Sequence, residues 1–293
     1  MGAENKRVGV VGVPGGWSSE LLADHLERRT GFRCLIDMER VACDISTGEV
    51  RCGELRLDSL DALLIKKAGP DYAPSLLDRL EILRLLAERG LPVFSDPCRI
   101  LRVLNRLSCT VTLELGGIPI PPTCVTEDLD EAARAVEEYG EAVLKPLYTS
   151  KGRGMRTVRA GKETRASLKE FQEAGNQVLY VQKLMQVPDR DLGIVFLGGE
   201  YLGTYARVRK RGSWNTTTAN GGTYAACRPT AEYVALAQRA QDLFRLDFTC
   251  VDLAETPQGP VVFEVSAFGG FRGLATAGID AAAAYADYVL GEL

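Results

Sequence analysis

The sequence predicts an α/β protein, and two observations carry that reading. Strand-like apolar runs alternate with amphipathic helical stretches over residues 1–95, the rhythm of an open sheet with helices packed on it. Beyond Asp96-Pro97 the rhythm changes to a longer mixture of strands and helices that ends in an acid-bearing hairpin. Two units therefore follow, 1–95 and 96–293, in a chain of 293 residues that is 46% hydrophobic and 25% charged, enough to bury a large core.

In order, RVGVVGV reads as a buried strand, and SSELLADHLERRTG as a Ser-capped amphipathic helix ended by Gly31. FRCLID and DALLIKK read as strands, APSLLDRLEILRLLAERG as a helix and LPVFS as a strand. One helix is expected over about 100–115, ending at Gly116-Gly117. IPIPPTCVT is a proline-stiffened strand leading to the helix DLDEAARAVEEYG. EAVLKPL, the glycine-rich TSKGRGMRTV, a helix around SLKEFQEAG and the strand VLYVQKL come next. LGIVFLGG and YLGTYARVR pair through a Gly-Gly-Glu turn, and AEYVALAQRAQDLFRL is an amphipathic helix. In CVDLAETPQGPVVFEVSAFGG, TPQGP turns a hairpin and an Ala-rich helix closes the chain.

Composition narrows the chemistry. A formal net charge of -4 gives no support for nucleic-acid binding. No apolar run reaches transmembrane length, and Gly and Pro interrupt the only early apolar stretch, so the expectation is a soluble, cytoplasmic protein with no membrane partner. Eight cysteines without a CxxC pair, and one histidine, argue against zinc; buried free thiols are expected. His25, in ELLADHLERR, is placed on a solvated helix face and given no role. The chemistry is left to carboxylates, lysines, arginines and bound ions.

Four stretches carry it. Lys145 ends an apolar strand in VLKPLYTSKGRG, and Ser150, Gly152 and Gly154 follow in a loop whose backbone N–H groups can approach phosphate oxygens; an ordinary surface turn is the alternative for the loop alone. VLYVQKLM presents Gln182, Lys183 and Leu184 to an adenine edge, with Asp191 as a ribose or loop contact, although a plain core strand explains it as well. RVRKRGSWNTTTANGG offers Arg207 and the small polar residues Asn215, Thr216 and Thr217 to a phosphate or anionic substrate; a solvated edge is the alternative. The hairpin brings Asp252, Glu264 and Ser266 together, oxygen donors suited to Mg²⁺ bridging nucleotide phosphates, against a structural ion pair with Arg or Lys.

From about residue 93 to the C-terminus the order and spacing of these stretches resemble an ATP-grasp ligase, nearest the RimK-type branch. The resemblance implies an ATP-grasp fold preceded by a Rossmann-like pre-ATP-grasp α/β domain, with a lid over about 124–185. It implies ATP and Mg²⁺ (with Mn²⁺ as the variant) as cofactors. It also implies an acylphosphate route joining a small-molecule, peptide or protein carboxylate to an amine; the oligomeric state is left open, a homo-oligomer included. Lys145 takes the place of the nucleotide-phosphate lysine. Asn105-Arg106 stands where the family has a DK pair, giving Arg106 the second cation. Asp252, Glu264 and Ser266 stand where an acid and, twelve residues on, ExN form the metal pattern. LKPLYTSKGRGM is similar to the ATP-grasp member of the bacterial gene set called the GAK system.

The departures are Ser266 for the usual Asn, Lys183 for the hinge acid, and Asn215-Thr216-Thr217 for Arg-Ser-Asn. The lost arginine is assigned to Arg272 or Arg207, with Arg272 preferred because it directly follows the metal strand in SAFGGFRG. A degenerate module that binds nucleotide or a partner without turnover is the first alternative. The second reads GVVGVPGGWSS as a dinucleotide turn, but its glycines are spaced GxxG and Pro14 intervenes; a substrate-binding loop of the pre-ATP-grasp domain, with Ser18 and Ser19 at a helix start holding an anion, and a plain strand-to-helix turn are the other readings.

Overall fold

The computed structural model describes residues 5–150 and 152–293, so Lys151 of the glycine-rich loop lies outside the described residues. Residues 8–94 form β1 (Val8–Val11), α1 (Trp17–Thr30), β2 (Leu35–Ile36), β3 (Val41–Asp44), β4 (Glu49–Cys52), β5 (Leu55–Arg56), β6 (Ala62–Ile65), α2 (Pro74–Glu88) and β7 (Val93–Phe94). β2, β1, β6 and β7 make a parallel sheet in that order. Every residue of β1 and β6 is buried, as strands covered on both faces must be, and their near-continuous Val, Leu and Ile make that burial favourable.

Three local expectations change. The cap of α1 is Gly16 rather than a serine; Ser19 instead accepts a hydrogen bond from the Val13 N–H at 3.2 Å, tying the preceding loop to the helix. Gly31 does end that helix, in the left-handed region at φ 73°. An antiparallel meander, β3-β4-β5, occupies the stretch between FRCLID and DALLIKK that carried no assignment, its turns marked by Gly48 and Gly53 at positive φ. His25 is buried, not solvated. Its Nε2 lies 3.1 Å from Asp280 and its Nδ1 3.1 Å from an Arg29 nitrogen, because the C-terminal helix covers that face of α1.

The expected single helix over 100–115 is two, α3 (Pro97–Leu104) and α4 (Arg106–Leu115). Asn105 separates them: it ends α3, and its side chain accepts from the Ser108 N–H at 3.0 Å to cap α4. Next come β8 (Thr123–Thr126), α5 (Leu129–Tyr139), β9 (Glu141–Leu144), β10 (Arg156–Arg159), α6 (Thr164–Glu173) and β11 (Leu179–Lys183), an antiparallel sheet of order β10-β9-β11-β8 backed by its two helices. This unit has its own core, built on Val136, Leu144, Leu168, Phe171 and Leu179.

The remainder holds β12 (Arg190–Leu197), β13 (Glu200–Val208), β14 (Thr223–Ala226), α7 (Ala231–Asp242), β15 (Phe248–Thr256), β16 (Gly259–Ser266), α8 (Phe271–Thr276) and α9 (Ala281–Gly291). Its antiparallel sheet runs β14-β13-β12-β15-β16. Apolar clusters join it to the first sheet: Val11, Ile65 and Leu80 share one with Ile194, Val251 and Val262, while Val8, Val10 and Leu22 share another with Phe248 and Tyr285. All eight cysteines are free; Cys109 and Cys250 are buried, Cys98 is exposed and the others are half-buried.

Candidate active site

The hairpin places Asp252 directly opposite Glu264 across β15 and β16, with a bulge just beyond Asp252. Asp252 is buried. Burial raises its carboxyl to about 7, and Arg207, 2.9 Å away, opposes that shift. Arg207 stands on β13 beside Asp191 of β12 and grips it with two bonds of 2.8 and 3.1 Å. Thr216 donates to the same carboxylate at 2.7 Å. Both oxygens of Asp191 are therefore held by protein. Of the ribose or loop contact expected of Asp191, the structure has the loop contact, through Thr216, and the acid is satisfied internally beside a buried arginine.

Glu264 is half-exposed and lies 3.3 Å from Arg106. The break at Asn105 starts α4 with Arg106 and turns its guanidinium inward, where it also donates to the carbonyls of Pro146 and Thr149, each at 3.1 Å. The alternative read from the sequence, acids held in ion pairs, is present in both cases. Ser266 donates weakly to the Cys250 carbonyl at 3.4 Å.

Lys145 follows β9. Its backbone N–H bonds to the Tyr180 carbonyl, its Nζ donates to Gln182 Oε1 at 2.5 Å, and it lies 5.4 Å from the centroid of Phe263. Burial, with Arg106 adding to it, pushes the ammonium down to about 7. Gln182 is in turn fixed by donating to Thr123 and Tyr180, so its side chain orients the lysine. The N–H groups of Lys183 and Leu184 are spent on Pro122 and Glu141 carbonyls, which removes them as donors to an adenine edge.

Gly152 sits at φ 72° against Thr217, where a Cβ would come within 3.0 Å of the threonine methyl, so the loop is seated closely on the Asn215–Thr217 segment. Asn215 Oδ1 accepts from the Thr217 N–H and hydroxyl and from Asn220, while its Nδ2 is buried with no partner. Arg272, at the start of α8, is exposed with its guanidinium 5.2 Å over the Trp17 ring.

One cavity of about 900 Å³ gathers nearly all of these groups. Every residue predicted for the site lines it except Gly154, which packs on Pro146. Trp17 and Ser18, from the GVVGVPGGWSS loop singled out in the sequence, also line it, and so do Lys66 and Lys67, which the sequence reading passed over because only long-range packing brings that strand end here. The donor set fits a magnesium nucleotide. Two acids face each other beside two desolvated cations, and a buried amide N–H lacks an acceptor that a phosphate oxygen would supply. Among the described residues no larger cluster of His, Cys, Asp and Glu is gathered for a metal.

A glycine-bearing loop between β9 and β10, facing an acidic hairpin across such a cavity, is the arrangement of the ATP-grasp class. Residues 96–289 match the RimK-like ATP-grasp domain, and the chain belongs to that family. It is 31% identical over 226 residues to the tetrahydromethanopterin:alpha-L-glutamate ligase of Methanocaldococcus jannaschii, covering 74% of this chain and 75% of that one. It is 27% identical over 270 residues to the enzyme of the same name from Methanosarcina acetivorans, covering 85% and 82%. The solved structure of the ATP-grasp ligase PsnB with a phosphomimetic variant of its minimal precursor, Mg and ADP superposes with TM-score 0.76 at 17% identity, covering 99% of both chains, and so shares the fold. The protein is an ATP-dependent carboxylate–amine ligase.

Proposed function

We propose that the reaction runs through an acylphosphate, with MgATP in the cavity and an amino acid of the kind named in the relatives as the amine substrate. A substrate carboxylate oxygen attacks the γ-phosphorus and ADP leaves. The amine nitrogen then adds to the acyl carbon, phosphate leaves, and the nitrogen loses its proton. Both steps depend on positioning and charge neutralisation, which suits a site without histidine or a serine nucleophile.

Lys145, Arg106 and the unpartnered Asn215 amide neutralise or bond phosphate oxygens. Asp252 and Glu264, with Ser266 as a weaker oxygen donor, would hold Mg²⁺, or Mn²⁺ as the related hard ion. When bound, the ion neutralises the phosphates as charge develops. Arg207, whose bonds run to acids, orients Asp252, and exposed Arg272 faces the acyl group. Residues 1–95 act as the pre-ATP-grasp unit and 96–293 as the ATP-grasp unit.

The observation carrying this reading is the opposed Asp252 and Glu264 beside Lys145 and Arg106. Its test is Glu264→Ala, expected to abolish Mg-dependent ADP release; normal turnover in that variant would sink the metal assignment.

A further inference from the structure

Arg153 lines the cavity from the glycine-rich loop between β9 and β10, with Gly152 at φ 72° before it and Gly154 at φ 69° after it. Its Nη1 donates to Asp71 Oδ1 of the first unit at 3.1 Å, and its Nη2 to Ser150 Oγ at 3.5 Å. Its carbonyl accepts from the Thr149 hydroxyl at 3.0 Å, and the Thr149 carbonyl accepts from Arg106. The loop carrying Arg153 is thus tied to a cation of the phosphate site. The other end of the pair is anchored in the first unit. Asp71 lies between Pro70 and Tyr72 in the segment leading into α2. Tyr72 lines a side cavity of about 40 Å³ with Arg106 and Glu264 and packs on the shared apolar cluster, and Arg79 donates to the Ala68 carbonyl at 3.0 Å.

Exposure separates this pair from those of the other cavity arginines. Arg207 faces the buried Asp191 and Asp252, and Arg106 faces Glu264 from a buried position, so parting either pair strands a charge. The side chains of Arg153 and Asp71 are 51% and 68% exposed, and water solvates each of them once they part. An exposed ion pair contributes little, whereas a guanidinium that meets a phosphate gains parallel charge-assisted bonds. A polyphosphate in the cavity therefore draws this arginine from its carboxylate at small cost.

We propose that Asp71 and a nucleotide phosphate compete for Arg153: the guanidinium exchanges the carboxylate for phosphate oxygens as MgATP binds, and the pair tying the glycine-rich loop to the first unit opens. The inference rests on the nucleotide assignment of the proposed function and adds to it a further phosphate-binding residue and an internal competitor. The exchange makes and breaks no covalent bond.

Calorimetric titration of the full chain with MgATP tests it, in wild type, Asp71→Asn, Arg153→Met and the double variant. Asp71→Asn should bind MgATP about two- to fivefold more tightly, the contribution of an exposed ion pair read as affinity. Arg153→Met should bind it about fivefold or more weakly, through loss of a charge-assisted bond. The double variant should bind as Arg153→Met does, because Asp71 acts only through the arginine. Unchanged binding by Asp71→Asn overturns the inference, as does weaker binding, which would make Asp71 a positioning residue for the loop. Tightening that persists in the double variant overturns it too, since Asp71 would then repel the nucleotide without Arg153. So does an Arg153→Met variant that binds as wild type does. Wild type that binds no MgATP refutes the nucleotide assignment and the inference together, whereas failure in the variants alone leaves that assignment standing.

Discussion

At the scale of single residues, the buried charges divide into those the protein neutralises and those it leaves for ligands. Arg207 is of the first kind, since it compensates Asp191 and Asp252 together. Arg207→Leu should therefore cost about 3–5 kcal/mol, the penalty of stranding a buried partner, and a urea melt of the variant checks it. An unchanged midpoint would mean that the acids are solvated or protonated in the folded state. The acids and Lys145 were legible because a charge inside an apolar strand is anomalous by itself. The ion pair of Asp191 with Arg207 was not legible, and Lys66 was passed over in LLIKK, because partners on other strands decide which charges are satisfied.

Elements explain how those residues are aimed. Asn105 caps α4 and so fixes where Arg106 begins. Asn105→Ala should lose about 1 kcal/mol of stability and weaken MgATP binding, whereas Asn105→Asp, also a good cap, should keep both; melts and nucleotide titrations of the two variants separate cap from composition. The helix break itself was hidden, because no glycine or proline marks it. The packing of α9 on α1 was equally hidden, and it gives His25 a measurable consequence. Burial holds the imidazole below its ordinary value, with Arg28 and Arg29 acting the same way and Asp280 and Asp287 opposing. The unfolded chain thus takes up the proton first. The contribution of His25 is complete above about pH 6.5 and is lost as pH falls through the unfolded value toward the lower folded one. Thermal melts from pH 7.5 down to about pH 5 should show a steeper loss in wild type than in His25→Gln; parallel curves would contradict the burial argument.

For the whole molecule, the change of rhythm near Asp96-Pro97 was legible in the sequence, whereas the lid over about 124–185 came from the family resemblance, and the packing that brings Lys66 and Lys67 of the first unit to the cavity could not be read from local pattern. MgATP at a hundred times its Kd should stabilise the fold by about 2.7 kcal/mol, roughly a 5–10 °C rise in Tm, and EDTA should remove most of it. No shift at millimolar nucleotide would mean that the cavity serves another ligand. The three cores add a mechanical point. Shared apolar clusters bolt the first sheet to the large one, whereas the lid's apolar groups cluster among themselves. Where the lid meets α4 it rests on polar contacts, Arg106 to two carbonyls and Thr110 to Tyr180. The cavity thus has one wall bound to the first sheet by shared apolar packing and one fastened to α4 chiefly through polar contacts, among them the same guanidinium that faces Glu264.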